Sequence, residues 1–96
     1  LQRDLVDNSR RMGELIRARL NELKSQLNIE RVRGSGLLIG FDLKELEGAT
    51  LVNRCLERGV LINSPGERTI RLMPPLIVSE EEVERFLSVL MQCSAD

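Results

Sequence analysis

Over roughly the first 28 residues, apolar side chains return at helical spacing. Leu5, Met12, Ile16, Leu20, Leu23 and Leu27 fall on one face, while Arg10, Arg11, Glu14, Arg17, Arg19, Glu22 and Lys24 fall largely elsewhere. That is the pattern of an amphipathic helix with one buried stripe. Gly13 is its weak point, costing about 1 kcal/mol relative to Ala if its site is an exposed helix interior. Asn28 is placed to end the helix. The period then changes. Residues 29–33 and 37–43 are short β-rich runs around Gly34-Ser35-Gly36, which predicts two strands joined as a hairpin. In the second run Leu37, Ile39, Phe41 and Leu43 share one face. Leu38 and Gly40 make the other face apolar too, which predicts a central strand covered on both sides.

A short helix is expected from about residue 48 to residue 58, burying Leu51, Val52, Cys55 and Leu56. Gly59 can stop it in the left-handed conformation that other residues resist. Residues 60–62 read as a short buried strand, Asn63-Ser64-Pro65-Gly66 as a turn, and 68–73 as the next strand. Pro74 and Pro75 close that strand, because neither can donate to a ladder. Ser79 followed by Glu82 is a capping box opening a last helix, whose buried stripe is Val83, Phe86, Leu87 and Leu90. Glu80, Glu81 and Glu82 suit the positive end of its dipole. The predicted order is α-β-β-α-β-β-α. The class is α+β, with helices over a small, mainly antiparallel sheet of about four strands. No repeat, low-complexity tract or linker divides the 96 residues, so they read as one domain.

Charge narrows the partners. With 14 basic and 15 acidic residues the net charge is -1, against the basic excess of a nucleic-acid binder. Phe41 and Phe86 are the only aromatics and leave no platform for stacking bases. No apolar run reaches membrane-spanning length and the first residues lack a signal-peptide pattern, so no membrane partner is expected. Cys55 and Cys93 each fall on an apolar helical face, as two buried reduced thiols or, alternatively, a disulfide. The sequence has no histidine. The commonest general base and metal ligand is therefore missing, and the chain is not expected to run chemistry alone.

Candidate chemistry is sparse. Arg33-Gly34-Ser35-Gly36 has the look of a phosphate loop but lacks the later glycines and the Lys-Ser/Thr pair. A strand, not a helix, follows it, so a hairpin turn is the better reading. Glu45 and Glu47, and Glu80 to Glu82, read as solvated helix ends and caps, not metal ligands. Lys24 and Lys44 are the only lysines, and neither has the burial or cationic neighbour that a Schiff-base lysine needs. Arg71 stands between Ile70 and Leu72 in a strand that ends at two prolines. Its guanidinium there would hold a carboxylate bidentately. An ordinary surface arginine, with Thr69 and Met73 on its own face, fits the same pattern.

V-R-G-S-G-L-L-I-G-F-D-L at 32–43 resembles the VRGxGLLxGIEL stretch of the class III (fold-type I) aminotransferases. G-V-L-I-N-S-P-G-E-R-T-I-R-L-M-P-P-L-I-V-S-E-E-E-V at 59–83 resembles that family's closing strands and final helix. N-S-R-R-M-G-E-L-I-R-A-R-L at 8–20 is similar to the helix that enters the same domain. Within the family, G-V-L-I-N followed by T-I-R-L-M-P-P-L looks most like the acetylornithine branch. The ornithine and 4-aminobutyrate branches carry related versions.

The resemblance implies that residues 1–96 are a C-terminal small domain that closes part of an active-site cleft and is inactive alone. It implies a ping-pong transamination from N-acetylornithine to 2-oxoglutarate, a step of arginine biosynthesis, in a cytoplasmic homodimer. Pyridoxal phosphate would be bound by the large domain of the same polypeptide, which supplies the lysine, the acid near the pyridine nitrogen and the phosphate cup. No catalytic, cofactor-binding or metal residue is then expected in this chain. Arg71 matches the arginine before the Pro-Pro pair, which in the family binds a substrate carboxylate or pairs with a large-domain glutamate. Gly34 and Gly36 match positions that permit the turn, and Gly40 one that permits close strand packing. A free-standing α+β module for binding or oligomerisation is the reading from a different class.

Overall fold

The computed structural model describes residues 2–35, 38–72 and 79–95. Gly36, Leu37, Met73, Pro74 and Pro75 lie outside the described residues, as do the side chains of Leu5 and Leu38. The N-terminal stripe folds as α1 (Gln2–Glu22) and a further turn, α2 (Lys24–Leu27). Helical hydrogen bonds run through the junction, from Leu23 N to Arg19 O and from Leu27 N to Leu23 O, both 2.9 Å. Met12, Ile16, Leu20, Leu23 and Leu27 are all buried. Gly13 is buried as well, so the penalty of an exposed glycine does not describe its site. Asn28 ends the helix at φ 55°, ψ 44°. Asparagine accepts this left-handed conformation more readily than most residues.

Three strands follow, in sheet order β1-β2-β3. Strand β1 (Ile29–Ser35) pairs antiparallel with β2 (Leu38–Leu43), which pairs antiparallel with β3 (Thr69–Leu72). Ser35 lies opposite Leu38, so the hairpin loop is two residues long. Counting back from it sets Arg33 opposite Gly40, Val32 opposite Phe41 and Arg31 opposite Asp42. Ile29, however, faces Leu43. Glu30 is therefore an extra residue, a β-bulge. Strict alternation from buried Ile29 would aim Arg31 and Arg33 at the core. The bulge reverses the faces, so Val32 packs inward and both arginines turn outward.

Ile29, Ile39, Phe41, Leu43, Ile70 and Leu72 form the inner face of the sheet. Against it pack α1, α2, α3 (Gly48–Glu57) and α4 (Glu80–Ala95) in one continuous core. Helix α3 ends in a Schellman motif. Gly59, at φ 78°, donates to Leu56 O (3.0 Å) and Val60 N donates to Cys55 O (2.9 Å). A Cβ on Gly59 would meet nothing within 4 Å, so the glycine is needed for its backbone conformation alone. Helix α4 opens with the full capping box, Glu82 N to Ser79 Oγ and Ser79 N to Glu82 Oε1, each 3.2 Å. Arg19 on α1 grips both carboxylate oxygens of Glu84 on α4 at 3.0 and 3.1 Å. Cys55 and Cys93 are free and buried where α3 meets α4. Burial and a hydrogen bond with Cys93 push the Cys55 thiol up to about 12.

Three expectations are corrected. Residues 60–62 are not a strand among the described residues, which carry three strands and not four. Leu61 is 83% exposed, and the segment meets the sheet only at an isolated bridge between Asn63 and Arg71. Past that bridge a side chain replaces the ladder, because the Ser64 hydroxyl bonds to Thr69 O (2.9 Å) and Gly66 O (2.7 Å). Strand β2 is central, but among the described residues the helices pack on its inner face. Its outer face carries Gly40 and Asp42. Leu56, expected inside, is 56% exposed on the outer side of α3.

Gly48, the first residue of α3, is buried against this turn. Its N–H donates to Glu67 O at 2.7 Å, and a Cβ there would run into Ser64 Oγ. At an exposed helical site Gly→Ala stabilises by about 1 kcal/mol. Here Gly48→Ala is expected to destabilise by about 1–3 kcal/mol, the usual penalty of overpacking. Urea unfolding of the chain checks the sign. A midpoint above that of the wild type would remove this contact from the account of the fold.

Candidate functional site

The outer face of the sheet gathers the polar residues that the bulge and the strand register select. Arg31 and Arg33 stand on β1, Gly40 and Asp42 on β2, and Thr69 and Arg71 on β3. Asp42 is the hub. Its Oδ2 accepts from Arg33 Nε (3.0 Å) and Nη2 (2.6 Å) and from Arg31 Nε (3.3 Å), and its Oδ1 accepts from Thr69 Oγ1 (2.9 Å). Burial pushes this carboxyl up, but the hydrogen bonds from Arg33, Thr69 and Arg31 outweigh it and hold Asp42 below its ordinary value. One carboxylate thus ties down both arginines of β1.

Arg71 differs from them. Its side chain is exposed and, among the described residues, has no ion pair or hydrogen bond. Its backbone is held instead. Arg71 N donates to Asn63 O (2.8 Å) and Asn63 N donates to Arg71 O (3.2 Å). Because both groups are spent on Asn63, the pairing of Arg71 with Gly40 is of the non-hydrogen-bonded kind, in which opposed side chains stand closest. Gly40 offers none, so a gap opens beside the guanidinium. A Cβ on Gly40 would also meet Ile70 O at 3.2 Å. The gap belongs to a shallow depression of about 270 Å³ lined by Gly34, Ile39, Gly40, Pro65, Thr69, Ile70 and Arg71. Among the described residues that line it, Arg71 is the one charged residue. The arrangement suits an anion met by a guanidinium whose backbone is held and whose described floor is uncharged.

Of the sequence-predicted candidates for binding a substrate carboxylate or forming an aldimine, Arg71 comes to this face. Lys24 lies on α2 and Lys44 follows β2, and neither lines the depression. The sequence reading takes Arg33 only as part of a turn and gives Arg31, Asp42 and Asn63 no role. A signal for Arg31, Arg33 and Asp42 exists, since a two-residue hairpin loop sets Arg33 opposite Gly40 and Arg31 opposite Asp42 by counting. Asn63 carried no signal beyond its fitness for a turn. No group of three or more His, Cys, Asp or Glu side chains that could hold a metal ion occurs among the described residues. Nor is any described helix long and apolar enough to cross a membrane.

A match to the Aminotransferase class-III family runs over residues 1–93. The chain belongs to that family. It is 45% identical over 87 residues to an acetylornithine aminotransferase of Archaeoglobus fulgidus, a match that covers 91% of this chain and 21% of that protein. Among solved structures, the ornithine delta-aminotransferase of Plasmodium falciparum superposes with a TM-score of 0.87 at 25% identity. That match covers 98% of this chain and 25% of the other. A phospholyase from Arthrobacter in complex with phosphoethanolamine superposes at 0.85 with 31% identity, covering 99% and 25%. The chain therefore spans about a fifth to a quarter of the length of these relatives. Class III enzymes use pyridoxal phosphate, whose seat needs a lysine and a phosphate cup. The described residues do not fit that group, because neither lysine is near the depression and Arg71 is the depression's one cation.

Asp42→Asn tests the hub. The folded-state value of Asp42 lies below the ordinary 3.8, so its stabilisation is fully present above 3.8 and is lost as the pH falls through the lower folded value. At pH 7 the variant is expected to be less stable by about 1–2 kcal/mol. Below 3.8 the two proteins should converge. Urea midpoints across the acid range measure this, and a gap that stays constant to the lowest pH would show that the Asp42 charge contributes nothing.

Proposed function

We propose that this chain is the C-terminal small domain of an acetylornithine aminotransferase, and that Arg71 binds a carboxylate of the substrate. The observation that carries the reading is the state of Arg71: exposed, unpaired among the described residues, backbone-clamped, and beside the gap above Gly40. N-acetylornithine and 2-oxoglutarate both offer carboxylates to a bidentate guanidinium. The 45% identity to the Archaeoglobus fulgidus protein supports the acetylornithine branch over the ornithine and 4-aminobutyrate branches. In this reading a larger domain of the same polypeptide binds pyridoxal phosphate, which supplies the amino-group carrier. The small domain then closes the cleft over it. The reading also implies a homodimer in the cytoplasm, acting in arginine biosynthesis.

A free-standing binding or oligomerisation module is favoured less. Val6, Leu56 and Leu61 are each more than half exposed. Single exposed apolar side chains of this kind are ordinary, so the weight falls on the family match over residues 1–93 and on the chain spanning 21% of its Archaeoglobus fulgidus relative.

Arg71→Ala, made in the protein that carries this chain, decides the matter. The expected loss is roughly a hundredfold in kcat/KM for N-acetylornithine or 2-oxoglutarate, from the loss of two charge-assisted hydrogen bonds. The circular dichroism spectrum should not change. Unaltered kinetics with both substrates would make Arg71 an ordinary surface arginine. A donor preference for ornithine or 4-aminobutyrate would move the protein to a neighbouring branch.

A further inference from the structure

Four residues form a row across the outer face of the sheet: Arg33 on β1, Gly40 on β2, Arg71 on β3 and Asn63 at the edge. Arg33 is committed to Asp42, and Gly40 has no side chain. Asn63 and Arg71 remain. They exchange both backbone hydrogen bonds, at 3.2 and 2.8 Å. An antiparallel pair of that kind stands directly opposite, with both side chains on one face of the sheet and near enough to interact. Burial agrees with this alternation. Ile62, Ile70 and Leu72 are buried, whereas Asn63 and Arg71 are exposed. Neither Asn63 nor Arg71 has a side-chain hydrogen bond among the described residues.

The position of Asn63 is built, not incidental. Directly after it, the Ser64 hydroxyl bonds to Gly66 O and Thr69 O, which folds the turn back onto β3. Gly48 leaves the space that Ser64 occupies. All of these restraints act through the backbone of Asn63 or through Ser64, so they leave the Asn63 carboxamide unengaged among the described residues.

A carboxylate has about four lone-pair directions, and a bidentate guanidinium fills two of them. A carboxamide next to the guanidinium can donate to a third. Being neutral, it neither repels Arg71 nor competes for its charge. We propose that Asn63 is a second substrate-binding residue of this site. Its amide N–H donates to the carboxylate that Arg71 holds, and so favours substrates with a carboxylate at that end over those with a neutral group. The inference rests on the reading of Arg71 as the carboxylate-binding residue.

The test uses the whole protein that carries this chain, with steady-state kinetics towards N-acetylornithine and 2-oxoglutarate. Asn63→Leu keeps the branching at Cγ but removes the donor. It is expected to raise KM for the substrate whose carboxylate sits here by about tenfold, with kcat nearly unchanged. Asn63→Asp places an acid beside Arg71 and should raise KM further, because the new carboxylate competes for the guanidinium. Asn63→Gln restores the donor and should recover most of the loss. An unchanged KM in Asn63→Leu, with Arg71→Ala still impaired, would overturn this inference alone. If Arg71→Ala is also unimpaired, the reading of Arg71 fails and this one with it. If Asn63→Leu and Asn63→Gln weaken both substrates equally and lower the melting temperature, Asn63 is structural and the inference is overturned.

Discussion

The register of β2 against its two neighbours is the constraint on which the remaining structure depends. Ile39, Phe41 and Leu43 point into the core from this strand, and Asp42 points the other way. A slip of one residue would exchange those faces, exposing Phe41 and driving the Asp42 carboxylate into apolar surroundings. Two unlike forces therefore choose the same register. Burial favours it at about 1.5–3 kcal/mol for each large apolar side chain. The Asp42 carboxylate favours it because its donors come from both flanking strands, Arg31 and Arg33 on one side and Thr69 on the other. A buried carboxylate stripped of such partners is strongly unfavourable, so the hub acts against misregistered alternatives more than it adds to net stability.

The elements most legible in the sequence are those whose signal is local. The α1 stripe, the helix end at Asn28, the Gly59 stop and the Ser79/Glu82 box each depend on neighbours a few positions away. Each appears as expected. The misreadings concern partners distant in the chain. Residues 60–62 are apolar, but three consecutive apolar residues show no alternation, and whether they pair depends on how β3 arrives. Gly40 was read as part of an apolar cover. On the structure it is the absence of a side chain that matters, because β3 sets Arg71 opposite the gap. The Glu30 bulge was equally hidden. A strand beginning at Ile29 gives no local sign that one residue must be skipped, and only the competition between Val32 and the flanking arginines for the core selects it.

Arg71 shows how far local reading goes at a site. Its sequence neighbours allow a carboxylate clamp and a surface arginine alike. What separates it from Arg31 and Arg33 is a carboxylate 29 positions away: Asp42 bonds to both of them and does not reach Arg71. Distinguishing these cases from sequence requires the hairpin register first, then the order of β3.

The same arithmetic of charge bears on what the face can select. Three free guanidinium groups on one sheet face would be a general anion site, suited to phosphate as well as to carboxylate. Asp42 ties two of them down by hydrogen bonds and cancels one of the three charges, which leaves Arg71 as the guanidinium with no carboxylate partner among the described residues. The fold itself makes no such choice, since the chain superposes about equally well on part of an ornithine aminotransferase and part of a phospholyase. What differs between such sheets is then the set of side chains on their outer face. In this chain those include the two arginines that share Asp42, the arginine that does not, and the asparagine paired with it.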